Sequence, residues 1–190
     1  MTKMKDAFDK YFSELNDYAR EVFGTNPTVT YTEELNRSCL ISEPDEDDEV
    51  EWKPVPQKAA VSWKEIEDDL GFILCDELKA YYTTYSFLML SGKFGKCLLN
   101  FYPVDATEPV VETIKREYED AQMVFKDSQI FLIGNAIVNE DDGYFIYYDN
   151  RSNKLFCYES DTQNEVLLSY SIAKTVGVME ARMYYGYRCL

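Results

Sequence analysis

Apolar residues recur at steps of three and four through the first stretch of the chain. Phe8, Tyr11, Phe12, Leu15, Tyr18, Ala19, Val22 and Phe23 fall on one face of a helix over residues 4–23. Gly24 ends it and Asn26-Pro27 makes a turn. The stripe reads as a core-facing surface. Residues 28–42 are mixed, with one short apolar run, Cys39-Leu40-Ile41, suited to a strand. Residues 50–53 read as extended, because Pro54 and Pro56 keep the chain out of a helix. Ser62-Trp63-Lys64-Glu65 then has the form of a capping box, with Ile66 and Leu70 on the face of Trp63 and Gly71 as the stop. A second helix follows over residues 76–87, with Leu78, Tyr81, Tyr82 and Tyr85 as its stripe.

The second half begins with a strand at residues 96–103, ended by Pro103. A long helix is predicted over 105–126, started by Asp105 and Glu108. Val110, Ile114, Tyr118, Ala121 and Phe125 line one side of it, and Glu112 and Arg116 form an i,i+4 pair on the other. The pattern then becomes that of strands. Residues 128–138, 144–149 and 154–160 are rich in aromatic and β-branched residues, with turns at 139–143 and 150–153 between them. A short strand at 166–168 and a helix over 171–183, carried by Ile172, Val176, Met179 and Met183, complete the chain. This order predicts one α+β domain over residues 1–190. Its antiparallel meander is flanked by N-terminal, middle and C-terminal helices.

Charge changes the picture more than composition does. The chain has 190 residues, of which 46% are hydrophobic, enough to build a packed core. It carries 35 acidic and 19 basic residues, and 35 − 19 leaves 16 negative charges in excess. Such a surface repels nucleic acid and attracts basic proteins. There is no histidine, which removes the commonest general base and metal ligand. Five cysteines in no CxxC pair fit reduced thiols rather than a disulfide framework or a zinc site. The first residues lack the apolar region of a secretory signal, and no stretch approaches a membrane span. The expected location is the cytoplasm, with contact to the inner membrane face only through a protein partner.

The negative charge is concentrated. Seven of the nine residues from Glu43 to Glu51 are acidic and none is basic. Asp45, Glu46, Asp47, Asp48, Glu49 and Glu51 are the candidate partner-binding carboxylates. Trp52 closes the run. It reads either as an aromatic anchor for the partner or, from its Trp-x-Pro-x-Pro setting, as a plug in the core. Glu140, Asp141 and Asp142 form a second cluster, in a turn where Asp is expected anyway but where it can extend the negative face. No cofactor is expected, since there is no Gly-rich phosphate loop and no HExxH. DEDDEVE lacks the glycine and ligand spacing of a calcium loop. Cys75 sits at a helix start, where a thiol can be activated, but no histidine is present to serve it as a base.

Two stretches carry a family resemblance. They are WKEIEDDLGFILCDELKAYY at 63–82, and IFLIGNAIVNEDDGYFIYYD with KLFCYES and the helix after it. Together they resemble the SUKH superfamily. VEWKPVPQ at 50–57, YYTTYSF at 81–87 and Cys39-Leu40-Ile41-Ser42 look like its Syd, or SecY-interacting, branch. The similarity runs from about residue 5 to 183. One departure is Cys75, where the wider superfamily tends to place a proline. The resemblance implies an α+β fold, an antiparallel sheet flanked by helices, and binding rather than catalysis. It also implies two roles. The wider superfamily suggests an immunity protein that neutralises a basic, nuclease-type toxin. The alternative is Syd-like binding to basic cytoplasmic loops of the SecY translocon.

Overall fold

The amphipathic stripe of the first helix organises the molecule. In the computed structural model, which describes residues 3–57, 60–104, 108–185 and 188–189, α1 spans Lys3–Phe23. It buries Met4, Ala7, Phe8, Tyr11, Phe12, Leu15 and Ala19 along one side. On its outer side, Lys5 pairs with Asp9 and Lys10 with Glu14. A small hairpin follows, from β1 (Thr28–Thr30) and β2 (Glu49–Glu51), and then β3 (Val55–Pro56). Helices α2 (Trp63–Leu70) and α3 (Asp76–Thr84) precede β4 (Tyr85–Ser86), which pairs with β3. Gly71 ends α2 with φ 77°, as its position predicts.

The large sheet is built from β5 (Leu90–Phe94), β6 (Cys97–Phe101), β7 (Ile130–Val138), β8 (Asp141–Asp149), β9 (Lys154–Glu159), β10 (Asn164–Ser169) and the short β11 (Glu180–Ala181). Its seven strands lie in the order β10-β9-β8-β7-β6-β5-β11, all antiparallel. Helix α4 (Val110–Gln122) crosses between β6 and β7, and α5 (Ile172–Val178) lies between β10 and β11. A C-terminal pair, β12 (Tyr184–Tyr185) and β13 (Arg188–Cys189), forms a separate ribbon. The main core gathers side chains of α1, α3, α5 and the sheet, including Phe8, Tyr81, Leu99, Ile133, Ile146 and Val176. Strand residues of opposite parity, Tyr147 and Phe156, form a smaller core with Ala121 and Phe125 on and beside α4. The mixed α+β architecture is therefore the predicted one.

Several boundaries differ from the pattern-based expectation. α4 starts after Pro109, whose missing N–H suits a helix entry, and it ends at Gln122. Asp105 lies outside the described residues. Glu108 accepts from the Thr113 hydroxyl and pairs with Arg116, so the Glu112–Arg116 pair is not formed. The Ser62 side chain makes no cap bond; the Glu65 amide donates to the Ser62 carbonyl instead. α5 is shorter than its stripe suggests, because Glu180 and Ala181 leave it to pair with Lys93 and Gly92 of β5. Met179 and Met183 are nonetheless buried. Strand β5 was not predicted, and residues 39–41 form only a single bridge, Leu40 to Trp52.

One ionisable group lies deep in this packing. Glu117 of α4 is 3% exposed and accepts a hydrogen bond from the Tyr82 hydroxyl of α3. Burial is the largest influence and pushes its carboxyl up to about 8; Asp120 and Glu108 add to the rise, while Tyr82 and Arg116 oppose it. The folded chain thus keeps this proton to about pH 8, whereas the unfolded chain releases it near 4.5. Glu117 therefore contributes stability that is complete below the lower value and is lost as pH rises towards the upper one. We expect the Glu117→Gln variant to lose this slope. Thermal melts at about pH 5.5 and about pH 8 should show a larger drop for the wild type than for the variant.

Candidate functional site: an acidic hairpin rooted in the core

The acidic run is an ordered structure. β1 and β2 pair Thr28 with Glu51, Val29 with Val50 and Thr30 with Glu49. Ahead of β2 the chain closes a tight turn on Asp45. Its carboxylate accepts from the amides of Asp47 and Glu49, both at 2.9 Å. The Asp45 amide donates to the Glu49 carbonyl, and the Asp48 amide to the Asp45 carbonyl. Asp48 sits at φ 59°, a left-handed conformation that Asp tolerates better than most residues. Asp45 is thus a framework residue, while Glu46, Asp47 and Asp48 stand exposed at the apex.

The two remaining carboxylates are half-buried and engaged. Glu49 accepts from the Thr30 hydroxyl at 3.0 Å. Glu51 accepts from Asn26 at 2.5 Å, and Asn26 in turn accepts from Arg20 at 3.0 Å. None of the acidic residues from 43 to 51 makes a direct ion pair among the described residues. Their charges stand uncompensated at close range, so the apex is a concentrated source of negative potential.

Trp52 resolves in favour of the core. It is 1% exposed and meets Phe12 of α1 edge to face, with ring centroids 6.1 Å apart. Its amide donates to the Pro27 carbonyl, and its backbone bridges to Leu40. It therefore does not serve as an exposed aromatic anchor; it fixes the base of the hairpin. The sequence pattern missed a groove of mixed character beside the acids. A groove of about 570 Å³ is lined by Tyr31, Arg37, Leu40, Ile41, Ser42, Glu43 and Pro44, and Ile41 is exposed within it. The run Cys39-Leu40-Ile41 was the available signal. Cys39 of that run is buried in the core and Leu40 packs partly against it, leaving Ile41 outside.

The second acidic cluster is divided by the fold. Asn139 and Glu140 alone form the turn between β7 and β8, both with positive φ, as a two-residue hairpin of this type requires. Asp141 and Asp142 open β8, and the Asp141 carboxylate accepts from the Gly143 amide. All three are exposed, and no hydrogen bond or ion pair among the described residues joins them to residues 43–51. Cys75 has a structural occupation. Its thiol accepts from the Leu78 amide at the start of α3 and meets the Tyr148 hydroxyl at 3.3 Å. No group of three or more Cys, Asp or Glu side chains is placed to hold a metal ion among the described residues. No helix there is long and apolar enough to cross a membrane.

The structure is thus a mixed α+β scaffold that carries an acidic hairpin on its core. Residues 3–100 match the family described as Syd protein (SUKH-2). The match takes in more than half of the chain, from α1 into β6, and the chain belongs to this family. No curated protein matches the chain.

The division between framework and apex carries a direct test. Trp52→Ala should cost about 3–5 kcal/mol of stability, as for other buried aromatic truncations. Asp45→Ala should cost about 1 kcal/mol through its lost amide bonds, whereas Asp45→Asn, which keeps an acceptor, should cost less. Asp47→Asn should leave stability within about 0.5 kcal/mol. Chemical denaturation of the four variants measures each difference.

Proposed function

We propose that this chain is a Syd-type binding protein that docks on the lysine- and arginine-rich cytoplasmic loops of the SecY translocon through the acidic hairpin at residues 43–51. The observation that carries this is the rigid apex of Glu46, Asp47 and Asp48, unpaired and projecting from a core-rooted hairpin. Cytoplasmic loops of membrane proteins concentrate positive charge, so they are the natural complement of such a surface. Membership in the Syd family supports the translocon over toxin neutralisation, the reading that the wider superfamily suggested. Both partners would be basic proteins, and the charge alone does not separate them.

Steering and holding fall to different residues. Exposed carboxylates contribute only ~0–1 kcal/mol each to affinity, so Glu46, Asp47 and Asp48 act chiefly on the rate of encounter. The adjoining groove is mixed, with Ile41, Leu40 and Tyr31 offering apolar contact beside Ser42, Glu43 and Arg37, and it is the surface on which a docked partner would be held. Glu140, Asp141 and Asp142 add to the long-range field without belonging to the contact. The protein would work at the inner face of the membrane, held there by its partner.

The test is association kinetics with the translocon reconstituted in nanodiscs, comparing wild type with Glu46→Gln/Asp47→Asn/Asp48→Asn. Asp45 is left intact so that the hairpin stays folded. We expect association at low salt to slow by about tenfold and its salt dependence to flatten, with little change in dissociation. Equal rates and equal salt response would remove the hairpin from the interface. Capture of a basic toxin domain, with no binding to the translocon, would return the immunity reading.

A further inference from the structure

The large sheet ends at β10, which pairs with β9 and with no other strand among the described residues. The opposite edge, β11, is only two residues long. Among the described residues, β10 thus offers the sheet's extended free edge, at Asn164–Ser169. Its register with β9 is regular from Asn164 to Leu167 and slips only between Leu167 and Ser169. Proline, a common guard of such edges, is absent from it.

The face beside that edge is aromatic and partly uncovered. Phe145, Tyr158 and Glu165 stand in one row across β8, β9 and β10; Tyr147, Phe156 and Leu167 form the next. Phe125, just beyond α4, covers Tyr147, Phe156 and Tyr158 with centroid separations of 4.9, 5.8 and 4.9 Å. It stops short of Leu167 and Phe145, which are 48% and 39% exposed. A cation already sits here. The Lys154 ammonium lies 4.5 Å from the Phe156 ring centroid and 2.6 Å from the Glu165 carboxylate. An aromatic floor and a carboxylate rim form a seat for a positive charge.

We infer that β10 receives an extended segment of the partner as an added strand, with lysine or arginine side chains alternating with apolar ones. The backbone of the segment pairs with β10. Its apolar side chains cover Leu167 on the adjoining strand, and a long basic side chain reaches Glu165 and the Phe156 ring in place of Lys154. A second copy of this chain is the wrong occupant, because each copy carries a net charge of −16. The edge lies outside the residues that match the family, 3–100, and no hydrogen bond or ion pair among the described residues links it to the acidic hairpin. It is a second point of attachment, and it rests on the basic-partner reading above for the source of the segment.

The experiment uses the full chain, a short labelled peptide alternating lysine and valine, and the reconstituted translocon. Backbone amide exchange of β10 is followed with the peptide, and affinities are measured for Leu167→Asp, Glu165→Lys and Lys154→Ala. All three changes lie on the surface side of the sheet, and variants are used only if they melt like the wild type. We expect the peptide to protect the β10 amides. We also expect Leu167→Asp and Glu165→Lys to weaken both peptide and translocon by about tenfold or more, and Lys154→Ala to tighten them. Peptide protection without any translocon binding keeps the seat and discards SecY as its source. Translocon binding that responds to the hairpin variant but not to the β10 variants overturns the inference and leaves the function standing. A doubled mass with β10 protected in the absence of peptide would assign the edge to self-association and overturn it as well.

Discussion

Phe12 is where separate pieces of the chain meet. Its ring stands edge to face with Trp52 and with Tyr85, at 6.1 and 6.0 Å, and tilts against Phe87 at 5.8 Å. These partners come from the hairpin, from β4 and from the approach to β5, all far from Phe12 in sequence. Such aromatic pairs contribute ~0.5–1.5 kcal/mol each beyond the area they bury, and they fix orientation as well as proximity. One residue earlier, Tyr11 fastens the same helix to the sheet. Its hydroxyl donates to the Ser91 carbonyl and accepts from the Ser91 amide, both at 2.8 Å. Burial pushes that hydroxyl's pKa up, so the bond does not titrate away at ordinary pH. The position of the acidic apex follows from this junction: Trp52 is held by Phe12, β2 leads into Trp52, and the charges sit at the far end of β2.

The two proposed points of contact differ in mechanical character. The hairpin is rooted in the main core through Trp52. β10 has a single neighbouring strand, so it makes half the ladder bonds of an interior strand and opens more readily. An edge of that kind adapts to an incoming backbone, whereas a rooted hairpin presents its charges in a fixed arrangement. Fast encounter at a rigid acidic point followed by slower strand addition at a compliant edge is a consistent order of events. The separation also keeps like charges apart within the chain, which limits the self-repulsion that an excess of 16 negative charges imposes.

Much of this was legible from spacing alone, and the failures have physical causes. The first helix, the α2 stop at Gly71, and the meander from β7 to β9 follow from periodicity and turn residues, although β8 begins at Asp141, inside the expected turn at 139–143, because Asn139 and Glu140 suffice to reverse the chain. Strand β5 escaped because Gly92 interrupts its apolar run. A side chain there would meet the Glu180 carbonyl at 2.3 Å, so the glycine answers to a neighbouring strand that local pattern cannot reveal. The capping box at Ser62 failed because the residue adopts φ −80°, ψ 82°, outside the usual cap geometry. In the acidic run, sequence showed the charge but not the division of labour. Asp45 and Asp47 are the same residue type two positions apart, yet one accepts backbone amides and the other faces solvent. Burial of Trp52 depends on a partner forty positions away, Phe12.

The left-handed backbone at Asp48 has an evolutionary reading. Asp, Asn and Gly all occupy that conformation at little cost, and a single-base change connects Asp with either of the others. Glu46 and Asp47 project from a turn whose geometry Asp45 alone secures through its side chain. Charge at the apex can therefore drift by one, two or three units while the scaffold beneath it stays the same. If the apex docks as proposed, a lineage can retune its partner without first surviving an unstable intermediate, and variation should accumulate at this tip while Asp45 and Trp52 stay constant.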